Sequence, residues 1–508
     1  MDSHTTNLSR AATAVALSAL AFWFGTGLHP IWWATWLTSV PVLVVAPRLK
    51  TRHAFMTAFF AHLLGNLNEW TYASLLPLPA HLVFVILPAV GFGLAVLLFR
   101  TASVRGKLWQ AWLSFPTAWI AYEYVVAWLS PHSTFGNLAY NQMNFLPVIQ
   151  IASVTGIWGI SFCLLIFAST AAIATNASLR TAPHTRVVFA LTLLGLAGTI
   201  GFGFWRVRSS AHEPSVIVGL VSSDQPETTL PAQSDSLAIF RRYLIEVPAL
   251  VARGAEVIVL PEYIADFSAS ASKDETTAVN QLFSKAARDH QATIAVGLGR
   301  IVDSNTAFNE ARVYSETGDV VVYDKHHFLP GYESRFTAGN TLALLPTVPA
   351  PWGVQICKDL DFPALSRAYA SKEIGLLLVS ANDFKLDAWL HSRMAILRGV
   401  EGGFSVARSA RNGVLTLSDN RGRVLAEEYS NSATFAHLVG TVPTFHSETL
   451  YSRLGDWFAW LNLGVLLSSV ITTFRWTRPR NLFSAFERSD DSTRIVDTAT
   501  PGATARQL

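Results

Sequence analysis

Val354-Gln-Ile-Cys357-Lys-Asp359 closes a short apolar run on a cysteine and follows it at once with two charged residues. A run of this composition reads as a buried strand. A side chain where such a strand runs out stands where open α/β sheets place their ligands. The chain's other cysteine, Cys163, lies inside the apolar run Ser161-Phe-Cys-Leu-Leu-Ile166, so no disulfide between the two is expected. Two other strand ends carry groups that suit a thiol. Glu262 follows Val257–Leu260 in Leu260-Pro-Glu-Tyr263, and Lys325 closes Val320–Tyr323.

The three make chemical sense as a unit. A thiol with a pKa near ~8.5 needs a base or a nearby cation to act as a nucleophile at neutral pH. A carboxylate can take the thiol proton and later hand it to a leaving group. An ammonium beside it can stabilise both the thiolate and the oxyanion of a tetrahedral intermediate.

Around these motifs, from about residue 215, short β-branched runs alternate with amphipathic stretches. The runs are Ser215–Val221, Glu256–Leu260, Thr293–Leu298, Val354–Cys357, Gly375–Ser380 and Phe404–Arg408; the helical stretches are 235–252, 276–290 and 386–401. The pattern predicts an α/β domain. Arg312–Ser315 and Val320–Tyr323 flank Glu316-Thr-Gly-Asp319 and predict a hairpin, and Asp419-Asn-Arg-Gly422 predicts a second turn, so the sheet should be mixed.

The rest of the chain is of a different kind. Of 508 residues 51% are hydrophobic and only 14% charged, and the deficit of charge is concentrated before residue 206. Seven stretches there reach the roughly 20 apolar residues that cross a bilayer: about 9–27, 30–46, 53–68, 81–99, 108–129, 146–175 and 187–205, with an eighth at about 456–474. Arg48, Lys50 and Arg52, then Arg100, Arg105 and Lys107, then Arg180 and Arg186, and finally Arg475, Arg478 and Arg480 occupy alternate connections. The intervening connections 28–30, 69–80 and 130–145 hold no Lys or Arg. By the positive-inside rule both termini are cytoplasmic and the α/β domain lies across an inner (plasma) membrane. The expected organisation is a seven-span membrane domain over 1–208, an extracytoplasmic catalytic domain over 209–450, an eighth span over 451–476 and a disordered tail over 477–508. A net charge of +3, with no basic stripe, argues against nucleic acid. His326, His327 and His391 form no metal-ligand pattern, and neither metal nor cofactor is expected.

Four segments taken in order, Leu-Pro-Glu262, Lys325-His-His-Phe-Leu-Pro-Gly-Tyr-Glu333, Gln-Ile-Cys357-Lys-Asp and Ser-Ala-Asn382-Asp, resemble the signature segments of the nitrilase, or carbon–nitrogen hydrolase, superfamily. The resemblance implies an α-β-β-α sandwich with Glu262 as general base, Lys325 as oxyanion stabiliser and Cys357 as acylated nucleophile. It further implies that the backbone N–H of Lys358 helps bind the oxyanion and that Glu333 is a second, positioning glutamate. With its apolar half, including Phe135-Gly-Asn-Leu-Ala-Tyr-Asn-Gln142 and Gly156-Ile-Trp-Gly-Ile-Ser-Phe162, the chain looks like the apolipoprotein N-acyltransferases. That likeness implies a phospholipid acyl donor, a thioester on Cys357, and the N-terminal amine of a diacylglyceryl-cysteine lipoprotein as acceptor. Lys358-Asp359 stands where that family usually has Tyr-Glu.

Alternatives accompany these readings. A membrane-anchored amidase or nitrilase would use the same thiol with water as the attacking group, and a non-catalytic scaffold would need none of the three residues. Asp359 either stabilises the loop after the cysteine or aligns Lys325. Tyr332, Phe336 and Trp389 either line an acyl-chain channel or form a separate apolar cluster. Arg398 and Glu401, three apart on a helix, read as a structural ion pair.

Overall fold

A computed structural model describes residues 3–208, 214–225 and 236–475. Residues up to Leu466 form one compact unit, apolar half and α/β half together. The expected disordered tail at 477–508 lies outside the described residues, as do Arg478 and Arg480.

Among the described residues the α/β half holds fourteen strands: β1 (Ser215–Ser222), β2 (Val257–Val259), β3 (Asp266–Ser270), β4 (Lys273–Asp274), β5 (Thr293–Ile301), β6 (Ala307–Tyr314), β7 (Val320–Asp324), β8 (Leu344–Leu345), β9 (Trp352–Ile356), β10 (Leu376–Asn382), β11 (Ser405–Arg411), β12 (Val414–Ser418), β13 (Val424–Tyr429) and β14 (Ala436–Pro443). They make an eight-stranded sheet in the order β14-β1-β2-β5-β3-β4, with β6 and β7 continuing from β5, and a six-stranded sheet in the order β13-β12-β11-β10-β9-β8. Both are mixed, as expected: β1, β2 and β5 run parallel, whereas β5, β6 and β7 alternate in direction. The β6–β7 hairpin forms where it is predicted. Tyr314 pairs with Val320, and Gly318 takes the φ of +100° that the turn requires.

The facing sides of the two sheets bury one apolar core, with Val218, Leu220, Val257 and Val313 from the first sheet against Val354, Ile356, Leu376 and Leu378 from the second. Each such side chain contributes roughly 1.5–3 kcal/mol by leaving water. Helices Ser236–Leu244 and Thr276–His290 cover the first sheet through Phe240, Tyr243, Val279 and Phe283. Pro363–Ala370 and Ala388–Gly402 cover the second. This is the anticipated α-β-β-α layering. The stretch 235–252 forms two helices rather than one, Ser236–Leu244 and Val247–Val251. Pro248 lacks an N–H and fits only the first turn of a helix, so the second begins there.

The apolar half is helical but less regular than eight uniform spans. Among the described residues four helices are long and apolar enough to cross a membrane: Thr6–Gly25, Leu78–Val104, Ile157–Thr175 and Thr185–Arg208. The run at 30–46 is broken into Trp32–Thr35 and Val40–Val45. The run at 53–68 yields the 15-residue helix Thr51–Gly65, about 22 Å long at ~1.5 Å per residue against a hydrocarbon core of about 30 Å. The run at 146–175 is interrupted at Gly156, whose φ of +66° ends one helical turn and starts the next helix. Continuous hydropathy thus records burial without recording these breaks. The remaining two runs form Leu108–Leu129 and Trp457–Arg475.

The helix Ala388–Gly402 joins the halves. One side packs on the second sheet; the other sends Leu390, Met394, Leu397 and Val400 against Tyr140, Ile149, Ile157 and Trp158. It stops at Gly403, which has the left-handed φ of +76° common just past a helix end. Arg398 and Glu401 are a fully buried pair, 3.2 Å apart, as the spacing predicts. Glu401 also accepts the backbone N–H of Ile157 at 2.7 Å, placing a carboxylate at the positive end of Ile157–Thr175.

Candidate active site

Glu262 leaves the end of β2 on a backbone held from both sides. Its N–H donates to the carbonyl of Ala381 on the neighbouring sheet at 3.2 Å, and β5 passes so close that a Cβ at Gly297 would lie 2.5 Å from the Cα of Glu262. Only glycine permits that approach. The carboxylate is buried. Its Oε1 accepts from Lys325 Nζ at 2.7 Å and from Asn309 Nδ2 at 2.7 Å.

Lys325 follows β7 and is also buried. Its ammonium bridges two carboxylates, donating to Glu262 and to Glu333 Oε1 and Oε2 at 2.7 and 2.9 Å. Glu333 is pinned in turn by the N–H of Leu329 at 2.8 Å and by Asn309 Nδ2 at 3.0 Å. Burial works against the charge on Lys325, but the two carboxylates override it and hold its pKa above the usual lysine range. Burial raises the pKa of Glu262, with Lys325 opposing and Glu333 reinforcing the rise.

Cys357 opens a 3-10 turn, Cys357–Asp361, immediately after β9. Its φ is +40°, a left-handed conformation that costs a non-glycine residue about 1–3 kcal/mol and survives where neighbours impose it. The residue is half-buried and its Sγ lies 3.6 Å from the carbonyl of Asn382 at the end of β10. Burial pushes the thiol well above its usual range, the Glu262 carboxylate pushes the same way, and the Lys325 ammonium pulls it back. Burial and the Glu262 carboxylate thus both favour the protonated thiol. The carboxylate and the sulfur flank one strand end: Glu262 donates its N–H to Ala381, and Sγ of Cys357 lies by the carbonyl of Asn382, the last two residues of β10.

The supporting residues divide. Asp359 is fully buried and reaches both segments: its carboxylate accepts from Tyr323 OH at 2.7 Å, from the N–H groups of His326 and His327 at 3.2 and 2.9 Å, and from the N–H of Ile356 at 3.3 Å. It fixes the segment after Lys325 and the turn of Cys357 together. The Lys358 side chain is turned to Asp361 at 2.9 Å and His132 at 3.2 Å. Its backbone N–H sits in the first turn of the 3-10 helix, where such groups lack an intrahelical partner. Tyr332, Phe336 and Trp389 make separate ring contacts, with Phe384, Tyr263 and His29 respectively, instead of one shared cluster.

Sequence reasoning missed Asn309, which touches both glutamates from the middle of β6, and the buried pair Asp383–Arg408. Asp383 lay inside a quoted motif, so that motif was the available signal; an asparagine within a strand gave none.

Comparison with known proteins fits both halves. Residues 16–170 match the family model for the apolipoprotein N-acyltransferase N-terminal domain, and 220–447 match that for carbon-nitrogen hydrolases. An apolipoprotein N-acyltransferase of Geobacter metallireducens is 28% identical over 486 residues, spanning 85% of this chain and 89% of that protein. One from Vibrio vulnificus is 22% identical, covering 90% and 96%. Over most of its length the chain is thus similar to the apolipoprotein N-acyltransferases. An amidase from Nesterenkonia sp. aligns with 50% of this chain and 100% of its own at 17% identity and a TM-score of 0.40. The apolipoprotein N-acyltransferase relatives extend across the helical half as well.

Proposed function

We propose that this chain moves an acyl group from a membrane phospholipid, through a thioester on Cys357, to the N-terminal amine of a diacylglyceryl-cysteine lipoprotein. The observation that carries the reading is the Glu262–Lys325–Glu333 bridge, with Glu262 and Cys357 at the same end of β10, in a chain whose relatives are named apolipoprotein N-acyltransferases.

Glu262 takes the thiol proton as the sulfur attacks the ester carbonyl of the donor. The ammonium of Lys325 and the backbone N–H of Lys358 receive the oxyanion. Collapse of the intermediate breaks the C–O bond, and the proton on Glu262 leaves with the lysophospholipid alkoxide. In the second half the acceptor amine attacks the thioester, Glu262 takes its proton, and the thiolate leaves and is reprotonated. Glu333 and Asn309 hold Lys325 and Glu262 in place throughout, and Asp359 sets the spacing between lysine and cysteine.

Both substrates are membrane lipids, which accounts for the apolar half. We infer eight crossings: the four long helices, Leu108–Leu129, Trp457–Arg475, and two built from the shorter segments at 30–46 and 51–69. On this reading the termini are cytoplasmic and the domain 209–450 is extracytoplasmic. This topology follows from the alternation of basic and uncharged connections in the sequence, and helices such as Thr185–Arg208 expose Leu193, Leu194 and Trp205.

The test is mass spectrometry of the membrane-extracted protein after incubation with phosphatidylethanolamine. An acyl mass on the Cys357 peptide, discharged by a diacylglyceryl-cysteine peptide, supports the transfer. Ammonia released from a small amide with no lipid on Cys357 would replace it with an amidase.

A further inference from the structure

The loop that follows Leu108–Leu129 belongs by sequence to the helical half, yet it grips the turn that carries the cysteine. Thr134 gives both its backbone N–H, at 3.3 Å, and its hydroxyl, at 2.7 Å, to the carbonyl of Asp361, the last residue of the turn that Cys357 opens. Because that hydroxyl donates to the carbonyl, the 2.7 Å contact with Tyr140 must have the tyrosine O–H as donor. Arg398 Nη2 then donates to the tyrosine oxygen at 3.2 Å. The bonds run in one direction, Arg398 to Tyr140 to Thr134 to Asp361, and all three donor side chains are buried. A chain of this kind polarises each successive bond. Two residues earlier, His132 meets Lys358 Nζ at 3.2 Å, while the same ammonium holds Asp361 Oδ2 at 2.9 Å.

Cys357 stands at φ +40°, a conformation that lasts only while both ends are constrained. Its N-terminal side is fixed by the pairing of β9 with β10. Its C-terminal side is fixed through Asp361, by a residue of the other half of the molecule.

The geometry points to Thr134, backed by Tyr140 and Arg398, as a positioning residue for Cys357: the helical half supplies the clamp that holds the nucleophile's turn. The thiol is thus in attacking geometry only when the two halves are seated together. This rests on Cys357 being the acylated nucleophile.

The experiment uses the full-length protein in detergent and reads the Cys357 peptide by mass spectrometry during iodoacetamide alkylation, which needs no lipid, alongside acylation by phosphatidylethanolamine. Thr134→Val should slow both by about tenfold or more, the scale of effect that small misplacements of reacting groups produce. Thr134→Ser, which keeps the hydroxyl, should return both to near the original rates. Thr134→Ala carries the same expectation as valine should that variant fail to accumulate. Gln150→Ala removes a different bond between the halves, the 2.8 Å contact with the Arg421 carbonyl, and should leave alkylation unchanged. Equal slowing by Gln150→Ala, or full-rate alkylation of Thr134→Val and Thr134→Ala, overturns the proposal. Alkylation slowed as expected while the unaltered protein takes no acyl group from phospholipid upholds the clamp and removes the acyltransferase reading instead.

Discussion

The carboxylate of Asp359 and the hydroxyl of Tyr323 meet at 2.7 Å, tying the turn of the cysteine to the strand that leads into the lysine. Replacing Asp359 with alanine strands that hydroxyl and three backbone N–H groups in a buried site. Each unsatisfied donor costs about 1–3 kcal/mol, so Asp359→Ala should lose at least about 4 kcal/mol of stability and most of the acylation rate. Thermal unfolding in detergent and the rate of acyl-enzyme formation read the two effects. Acylation at full rate would show that Asp359 holds the fold without setting the site.

Lys325 neutralises the buried carboxylate of Glu262 and the partly buried one of Glu333. Lys325→Met should therefore destabilise by about 3–5 kcal/mol, the usual cost of removing one partner of a buried ion pair, and lower acylation by about a hundredfold or more. Adding Glu333→Gln removes one of the orphaned charges. The double variant should melt at a higher temperature than Lys325→Met alone while remaining inactive.

Glu262 acts on Cys357 in two opposed ways, and one substitution separates them. Its negative charge holds the thiol pKa up, so Glu262→Gln should shift the pH profile of Cys357 alkylation to lower pH. The same change removes the base, so acyl transfer should fall by about a hundredfold or more. Alkylation and transfer that decline together would mean the carboxylate is only structural.

His391 provides a pH signature. Burial alone would strip its proton, but Asp387, and after it Asp361 and Asp383, raise its pKa to about 9. Its unfolded value is about 6.5. A raised folded pKa stabilises fully below the unfolded value and loses that contribution as pH rises through about 9. The melting difference between the unaltered protein and His391→Gln should be largest near pH 6 and shrink by pH 10. A difference that does not change with pH would refute the charged assignment.

Much of the α/β half was legible because its signals are local. Strand ends at Glu262, Lys325 and Cys357 follow from short apolar runs, and the turn at Gly318 from its composition. What escaped is long-range or chemically silent. Asn309 is an ordinary polar residue in a strand until folding sets it between two glutamates. Thr134 and Asp361 are separated by 227 positions, and nothing in either segment announces the other. The breaks at Trp36–Ser39 and at Gly156 escaped because hydropathy measures what is apolar, not where a backbone turns.

The helix Ala388–Gly402 is covered on both flanks, by the sheet and by Tyr140, Ile149, Ile157 and Trp158. Cutting the chain at Ser215 to obtain a soluble enzyme would bare its greasy seam of Leu390, Met394, Leu397 and Val400 and leave Arg398 and Glu401 without their shelter. A fragment of that kind would clump long before it could be assayed. Screens for inhibitors therefore need the whole polypeptide in detergent or nanodiscs.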